Sequence, residues 1–547
     1  MNDKVIVTNL SALKKKYGSG FSAVKKAIDR LIAADKLRSI KTKLVALDNA
    51  AAMKKLKAPA VKKAADPKQN KRAIDGVFKA LAPEYVMILG STDIIPHQDM
   101  KNPVFDGIND ADEFAYGDLP YACEAAYSRN AADFIGPTRV VGRLPDITGA
   151  NDPAYLVGLL DTAVNAKSLA RSDYRGFLGI SAKVWEKSTR LSLEKLFGSG
   201  KDVRLSPKEG PNWNVEMLAR RTHFVNCHGA PADPNFYGQS RSNFPTAHSA
   251  ELLAGKIREG AVAAVECCYG AELYDPSLID SNQSGICNTY LANKAYGYLG
   301  STTIAYGPAE GNGAADLICR FFLRRVLSGA STGRAALEAR QEFATHATEL
   351  DPVDLKTLAQ FNMLGDPSIH PVAAETPHRA IAPTRGGKAA SSPALSSAID
   401  RASRRQQLAS RGLWIAQHQP VARRADGAEA IETATKARPK AARGVTAKAT
   451  PADRNTIKKL ISDAGLESTT TQSYEVAPKA SSMPKELRTL AAAKSLPSVR
   501  IHVVLGKRAE SEPAPREAAP EGLVRGVAII TREVNGKIVS YREMLVK

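Results

Sequence analysis

Short apolar runs alternate with amphipathic stretches over residues 1–375, and this alternation limits the fold of the chain more than any other feature. Runs such as residues 4–8 and 222–226 have the length and apolar character of buried strands, while residues 70–81 and 313–327 place apolar side chains on one helical face. Strands that alternate with helices predict a largely parallel sheet covered by helices. We therefore expect an α/β protein, in which two successive series of elements form two sheet units packed side by side.

The composition changes sharply near residue 375. Ala, Arg, Lys, Ser and Pro dominate residues 375–453, which predicts a flexible basic linker with one helix around residues 398–417. Three later apolar runs, the last two joined by the turn Asn535-Gly536, predict strands in a small C-terminal domain. The expected divisions are two α/β subdomains at 1–170 and 171–374, the linker at 375–453 and a β-containing domain at 454–547.

The formal net charge of +20 is concentrated in the C-terminal third of the chain. Residues 376–547 hold 30 Lys and Arg against 15 Asp and Glu, whereas residues 1–375 hold 46 against 41. A basic segment can bind nucleic acid, but Trp414, Tyr474 and Tyr541 are too widely spaced to form a base-stacking surface. The composition therefore favours a solvated basic spacer over a nucleic-acid partner.

The sequence predicts neither a membrane span nor a disulfide framework. No stretch approaches the roughly 20 consecutive apolar residues that a membrane-spanning helix requires, and the first residues lack the pattern of a secretory signal. The six cysteines are irregularly spaced and include no CxxC pair of the kind that holds structural zinc. We expect a protein of the reducing cytoplasm without a membrane partner.

Two apolar runs end directly in residues that can perform chemistry. Residues 222–227 lead into His228-Gly229, and residues 261–266 lead into Cys267-Cys268. Because the carboxyl ends of neighbouring parallel strands share one edge of a sheet, an imidazole would lie beside a thiol there. The imidazole can raise the thiolate fraction, and the glycine leaves a backbone N–H open to an oxyanion. Each residue alone is more often part of a core, but the joint pattern favours nucleophilic catalysis.

These two segments resemble the caspase-like cysteine peptidases, and further segments narrow the resemblance to the gingipain-type family. The additional similar segments, in chain order, are residues 85–96 (YVMILGSTDIIP), 140–145 (VVGRLP), 300–302 (GST) and 362–368 (NMLGDPS). The resemblance covers roughly residues 75–372 and rests on the order of the segments, since each alone is weak.

The resemblance implies two caspase-like α/β subdomains with the active site in the second. His228 would be the general base and acid, and one cysteine of the pair would attack a peptide carbonyl. The oxyanion would lie on the backbone N–H groups of Gly229 and of the nucleophile, and no metal or organic cofactor would take part. The implied protein is a bacterial cysteine endopeptidase that acts on proteins or peptides.

The identity of the nucleophile stays open between two residues. Relatives often carry an acidic residue or Gln, then a small residue, then the nucleophile, and Glu266-Cys267-Cys268 fits that order with Cys268. Counting back three from Gly270, a spacing also seen among relatives, selects Cys267. Alternation along a strand lets only one of the two thiols face the cleft, and we favour Cys268.

Glu266 then lies where relatives place a wall of the pocket for the residue before the cleaved bond. A carboxylate there favours Arg or Lys, although Glu266 could instead bond only its neighbouring loop. Asp233, Tyr274 and Asp275 lie on the adjoining loops and are further candidates for substrate binding.

Three acidic residues in loops of the first subdomain are candidate ligands of a structural Ca²⁺, although solvated loop carboxylates are the commoner case; they are Asp93, Asp112 and Asp118. The secretion and propeptide segments of secreted gingipains are not recognisable, so we expect an intracellular relative. It would stay latent until an activating ligand or partner protein orders its loops, and could cleave itself within residues 375–453. The alternative is a catalytically silent caspase-like scaffold that binds a partner through its basic tail.

Overall fold

The computed structural model describes residues 2–373, 393–424, 431–432, 451–476, 498–508, 520 and 522–547. Its strands are β1 Lys4–Thr8, β2 Thr42–Ala46, β3 Tyr85–Leu89, β4 Gln98–Lys101, β5 Phe114–Gly117, β6 Val140–Leu144, β7 Phe177–Ala182, β8 Arg204–Ser206, β9 Thr222–Asn226, β10 His228–Gly229, β11 Asn235–Tyr237, β12 Thr246–Ser249, β13 Val262–Val265, β14 Gly297–Ser301, β15 Tyr306–Gly307, β16 Phe361–Leu364, β17 Ala422–Arg424, β18 Ile431–Glu432, β19 Leu466–Val476, β20 Val499–Arg508, β21 Val527–Val534 and β22 Lys537–Val546. The helices are α1 Leu10–Tyr17, α2 Phe21–Leu37, α3 Ala50–Lys55, α4 Pro67–Leu81, α5 Ala154–Asn165, α6 Glu186–Phe197, α7 Val215–Leu218, α8 Ala250–Leu253, α9 Ile286–Ala292, α10 Ala314–Leu327, α11 Thr332–Ala344, α12 Pro352–Gln360, α13 Pro393–His418 and α14 Pro451–Asp463.

A ten-stranded sheet forms the centre of the protein, in the order β2-β1-β3-β6-β16-β14-β13-β9-β7-β8. Its neighbours pair in parallel except β14 and β16, which are antiparallel. Strand β16 also pairs with β6, so it joins the two series of strands into one sheet. The predicted α/β class is confirmed, but the two expected sheet units are halves of a single continuous sheet.

The central strands are buried on both faces, as helix-covered parallel strands require. Every residue of β1, β3, β6, β9, β13 and β14 is buried. Two of these strands carry a charge, and each charge has its partner: Lys4 Nζ lies 3.0 Å from Asp35, and Arg143 forms a bidentate pair with Asp118 at 2.8 and 2.6 Å. Such pairs are tolerated in a core because the partner offsets desolvation.

Two local predictions differ from the structure. The helix expected over 249–258 is limited to Ala250–Leu253, because Ala254 takes a non-helical backbone with ψ 126 and Gly255 follows with φ +74. The strand expected over 301–305 is also wrong, since β14 ends at Ser301. Beyond it the Thr302 N–H donates to the Gln360 carbonyl at 3.2 Å rather than to a strand, and the chain leaves the central sheet.

The C-terminal part forms a second, antiparallel sheet in the order β15-β22-β21-β20-β19-β17, with β18 paired to β19. The predicted turn is confirmed, because Asn535 and Gly536 have φ of +50 and +80 as a two-residue hairpin turn requires. The helix predicted near 398–417 is confirmed as α13. The rest of the predicted linker lies largely outside the described residues.

Contacts with the first half of the chain hold the second sheet against the central one. Thr470 Oγ1 donates to Asp106 at 2.6 Å, and Asn109 Nδ2 donates to the Ser468 carbonyl at 3.1 Å. The guanidinium of Arg542 pairs with two carboxylates at the start of α12. These contacts fix β22 so that its end reaches the central sheet. Among the described residues, no helix has the length and apolarity to cross a membrane.

Candidate active site

Strands β9 and β13 end at the same edge of the central sheet. They pair in parallel, and the Glu266 N–H donates to the Val225 carbonyl at 2.9 Å just beyond the last register pair. The residues that follow, His228 on one strand and Cys268 on the other, therefore leave the sheet together. At Gly229 a Cβ atom would lie 1.9 Å from the Cys268 carbonyl oxygen, so this approach of the two chains requires glycine.

His228 has one ring nitrogen bonded and the other free. Nε2 lies 2.7 Å from Gln239 Oε1, and the Gln239 amide nitrogen donates to the Arg241 carbonyl at 3.0 Å, which orients the amide. Because the amide oxygen can only accept, Nε2 carries the hydrogen and Nδ1 carries the lone pair. Nδ1 is buried and has no hydrogen-bond partner among the described residues.

Two aromatic rings flank the imidazole, and the cations Lys547 and Arg525 lie near enough to lower its pKa further. Its ring centroid lies 4.5 Å from the ring of Trp185 and 5.2 Å from that of Phe244. Burial lowers the pKa of His228 to about 4, against the opposing effect of the hydrogen bond with Gln239. The side chain is therefore a neutral base at neutral pH, with one nitrogen available for a proton.

The two neighbouring cysteines have different surroundings. The Cys268 N–H donates to the Lys547 carbonyl at 3.1 Å, and its sulfur accepts from the Ala305 N–H at 3.2 Å. Burial raises the pKa of Cys267 well above its ordinary value, with the nearby thiol of Cys227 adding to the effect. Cys268 thus contacts residues 305 and 547 through its sulfur and its backbone N–H, whereas Cys267 lies near the thiol of Cys227.

No hydrogen bond joins His228 to either cysteine within the described part of the chain. Burial raises the pKa of Cys268 to about 12, with the backbone of Ala305 opposing it. The thiol is therefore protonated at neutral pH, and a thiolate can form only when a base takes its proton.

The side chain of Lys547 fills an acidic pocket beside this cysteine. Its ammonium lies 2.5 Å from Glu266, 3.1 Å from Asp316 and 2.8 Å from the amide oxygen of Asn226, and none of these side chains is exposed. The ammonium also lies 5.0 Å from the ring centroid of Trp185. The pocket therefore surrounds one cation with three oxygens and an aromatic face.

The charges of the pocket depend on one another. Burial raises the pKa of Glu266 and the neighbouring Asp316 raises it further, while Lys547 opposes both. Burial lowers the pKa of Lys547, but the two carboxyl groups outweigh that effect and the net shift is upward. The occupied pocket thus holds a charged ammonium, and without a cation its two carboxyl groups would repel each other.

Residues 545–547 run antiparallel to residues 305–307 as an added strand. The Lys547 N–H donates to the Ala305 carbonyl at 3.0 Å, and β15 pairs with the last two residues of β22. A Cβ atom at Gly307 would lie 2.0 Å from Cε of Lys547. Glycine at that position therefore opens the pocket to the lysine stem.

Of the residues around the Lys547 ammonium, the sequence singles out Glu266 but neither Asp316 nor Asn226. Asp316 is in the first turn of α10, where its carboxylate accepts from the Gly313 N–H at 3.3 Å and from the Ser188 hydroxyl. That capping pattern predicts a helix start and gives no sign of a pocket. Asn226 stood out in the sequence only as the last residue of the strand predicted over 222–226.

The three loop candidates for substrate binding contact their own loops. Asp233 accepts from the Tyr237 hydroxyl at 2.7 Å, the Tyr274 hydroxyl donates to the Gln283 carbonyl at 2.9 Å, and Asp275 accepts from the Ser277 N–H at 2.9 Å. No described hydrogen bond or ion pair links any of them to Lys547, so their part in substrate binding stays a prediction.

The three carboxylates considered for calcium are bound by separate protein donors. Asp93 pairs with Lys16 at 2.7 Å, Asp112 accepts from the Tyr269 hydroxyl at 2.8 Å, and Asp118 pairs with the arginine of β6. Within the described ranges no group of three or more His, Cys, Asp or Glu side chains could hold a metal ion. The structure therefore does not bring these three residues together as one site.

No family model and no curated protein matches this sequence. A solved structure described as "Structure of Protease" is 12% identical to it, with 99% of this chain and 97% of that chain covered and a TM-score of 0.44. A likeness at this level says nothing about the activity of this chain.

Proposed function

We propose that this chain is a cysteine endopeptidase that cleaves peptide bonds after lysine, with His228 and Cys268 as its catalytic pair. The position of Lys547 carries the proposal, because its ammonium lies between Glu266 and Asp316 while its carbonyl oxygen accepts from the Cys268 N–H. An acyl-transfer site needs this arrangement for the residue before the cleaved bond: a side chain held in a pocket and a carbonyl oxygen on a backbone donor.

The architecture around the site supports a caspase-like fold of gingipain type. The central sheet carries the histidine and the cysteine at the ends of adjacent strands. In the arrangement that we propose, residues 1–170 and 171–374 supply the two halves of the sheet and the second half supplies the site. The segment 454–547 would act through its last strand.

The proposed reaction uses groups already present in the site. Nδ1 of His228 takes the proton of the Cys268 thiol, and the thiolate forms a bond to the carbonyl carbon of the substrate lysine. The resulting oxyanion is stabilised by the N–H groups of Cys268 and Gly229. The imidazolium then gives its proton to the leaving amine as the C–N bond breaks, and a water molecule hydrolyses the thioester with His228 again as base.

We favour Cys268 over Cys267 as the nucleophile because of the donor on the Lys547 carbonyl. The N–H that contacts this oxygen belongs to Cys268, and in this kind of site the nucleophile's own N–H serves the oxyanion. Burial and the neighbouring Cys227 thiol raise the pKa of Cys267 well above its ordinary value.

The pocket favours lysine over arginine by its shape. Its three oxygens lie 2.5–3.1 Å from a single nitrogen, which suits a compact ammonium with three donors. A guanidinium is planar, larger and carries five N–H donors in a fixed fork, so it would leave donors unmatched here. We expect lysine substrates to be preferred over arginine substrates by about tenfold or more, the discrimination of about one unmatched hydrogen bond.

Two observations support the silent-scaffold alternative. The described residues show no bond between His228 and a thiol, and burial keeps the Cys268 thiol protonated. In the alternative, the acidic pocket binds a lysine of a partner and no bond is cleaved.

A hydrolysis assay distinguishes the peptidase from the silent scaffold. Because Lys547 fills the pocket, the assay uses full-length Lys547→Ala protein and acetylated tetrapeptide coumarin amides that end in Lys, Arg or norleucine. We expect hydrolysis after Lys, weaker hydrolysis after Arg and little after norleucine. Cys268→Ala should abolish the activity, while Cys267→Ala and the distant buried-thiol control Cys123→Ala should retain it.

Other outcomes of the same assay are equally decisive. Loss of activity only in Cys267→Ala would exchange the nucleophile. Folded protein that hydrolyses none of the three peptides, and that a lysine chloromethylketone labels no faster than an ordinary thiol, would favour the scaffold.

Self-cleavage within residues 375–453 stays a separate prediction from the many Lys and Arg residues of that segment. Intact mass during prolonged incubation of active protein tests it. An unchanged full-length mass would contradict it, whereas fragments absent from the Cys268→Ala protein would support it.

A further inference from the structure

We propose that residues 544–547 are a tethered, substrate-like inhibitor that occupies the active site in the resting protein. The inference rests on the proposed peptidase site and adds its regulation. Three features of residues 544–547 match those of a bound substrate. The Lys547 side chain lies in the acidic pocket, the main chain pairs with β15, and the Lys547 carbonyl oxygen accepts from the Cys268 N–H.

The main-chain contacts leave no room for another peptide. The edge offered by β15 is already paired with Leu545 and Val546, and the Ala305 carbonyl already accepts from the Lys547 N–H. A substrate adding as a strand would need the same edge and the same carbonyl. Binding of the segment and of a substrate is therefore mutually exclusive.

The side-chain contacts exclude a second lysine as well. Lys547 is fully buried, and its ammonium uses both carboxyl groups of the pocket. Two ammonium groups cannot share this space, since the Lys547 ammonium already lies 2.5–3.1 Å from all three oxygens of the pocket. The segment thus competes with substrate for the pocket in addition to the strand edge.

The C-terminal sheet holds the segment in place. The Val546 N–H donates to the Gly526 carbonyl at 2.9 Å, and the buried side chain of Met544 packs against Gly313, where a Cβ would lie 2.8 Å from the methionine methyl carbon. Pairing with β15 covers only two residues, whereas pairing with β21 runs along β22. The end of the strand can therefore leave β15 while the rest of β22 stays in its sheet.

The sequence of residues 544–547 also indicates which substrates the proposed site would accept. Its residues place Met, Leu, Val and Lys in the four positions before the cleaved bond. A preferred external substrate would therefore be an extended segment with three apolar residues followed by lysine.

The test measures access to Cys268 separately from catalysis. Full-length wild type, Lys547→Ala and the control Lys537→Ala are treated with iodoacetamide, and the labelling rate of Cys268 is read by peptide mass. Lys537 is the control because it is an exposed lysine at the start of the same strand. In parallel, each protein is assayed with acetyl-Met-Leu-Val-Lys coumarin amide.

We expect Lys547→Ala to label Cys268 and to hydrolyse the peptide on the order of a hundredfold to several thousandfold faster than wild type, the effect of removing one partner of a buried ion pair. The control should match wild type. Equal labelling of Cys268 in all three proteins would overturn the inference. Faster labelling of Lys547→Ala without hydrolysis by any of the three proteins would support occupancy of the site by Lys547 and overturn the peptidase function. Hydrolysis by wild type as fast as by Lys547→Ala would support the peptidase function and overturn the inhibition.

A second variant covers the case in which Lys547→Ala misfolds. Gly307→Ala leaves residues 544–547 intact but places a methyl group where the lysine stem passes. It should raise the labelling rate of Cys268 while lowering hydrolysis of the lysine peptide. A folded Gly307→Ala protein with the wild-type labelling rate would contradict the inference.

Discussion

Replacing Glu266 by Gln in the Lys547→Ala protein measures what the pocket contributes to lysine recognition. In the occupied pocket Glu266 accepts from an ammonium at 2.5 Å, and both groups are fully buried. A hydrogen bond to a charged group contributes about 1.5–3 kcal/mol. Asp316, at 3.1 Å, remains to neutralise the ammonium, so the loss should stay below the roughly 3–5 kcal/mol of a buried charge left unpaired.

The expected result is a fall in kcat/KM of roughly 10- to 150-fold for a lysine peptide, since about 1.4 kcal/mol corresponds to a factor of ten. A norleucine peptide is the matched control, because its side chain keeps the stem and lacks the charge. Asp316→Asn should behave similarly, and the double variant should lose more than either. An equal fall for lysine and norleucine peptides, or no fall for lysine, would refute the assignment of these carboxyl groups to the pocket.

Three further predictions concern the framework. Gly229→Ala should destabilise the protein and abolish activity, because its methyl group would lie 1.9 Å from the Cys268 carbonyl; an unchanged melting temperature would contradict this. Lys4→Met should lower the free energy of unfolding by about 3–5 kcal/mol, measured in urea, because two buried carboxylates lose their cation. The contribution of His223 to stability should fall as the pH drops from about 6.5 to about 4, because burial lowers its pKa to about 4 and the unfolded chain then binds more protons at this residue; chemical denaturation of wild type and of His223→Gln at both pH values measures it, and an equal pH dependence of the two proteins would contradict it.

Local sequence patterns were sufficient where an element depends on its own residues. The apolar runs at 4–8, 85–89 and 222–226 coincide with β1, β3 and β9. Each of these strands is buried on both faces, so its own residues are apolar whichever strands flank it. Strand β16 was missed although it joins the sheet. It is four residues long and follows α12 without a turn, so no local signal separates it from the helix.

The residues of the candidate site form the same two groups, those that a local sequence pattern marks and those that only long-range contacts bring in. His228, Cys268 and Glu266 stand at the ends of apolar runs, so the end of each strand marks them. Asp316 and Lys547 meet Glu266 across 50 and 281 positions of the chain, and no periodicity in one sequence reports such a contact. The role of the last strand could therefore be found only from its pairing with β15.

Specificity and self-occupancy depend on the same two carboxyl groups, and this coupling has a measurable consequence. In the Lys547→Ala protein, Glu266→Gln weakens only the binding of substrate lysine. In the chain with its native Lys547, the same change weakens the tethered lysine and the substrate lysine together, because both use Glu266 and Asp316. The weaker competition by Lys547 then offsets the weaker binding of the substrate lysine. Glu266→Gln should therefore lower lysine-peptide hydrolysis far less when Lys547 is present. A double-mutant cycle over Glu266→Gln and Lys547→Ala measures this difference as a coupling free energy. Equal effects of Glu266→Gln in both backgrounds would mean that Lys547 does not compete for the pocket.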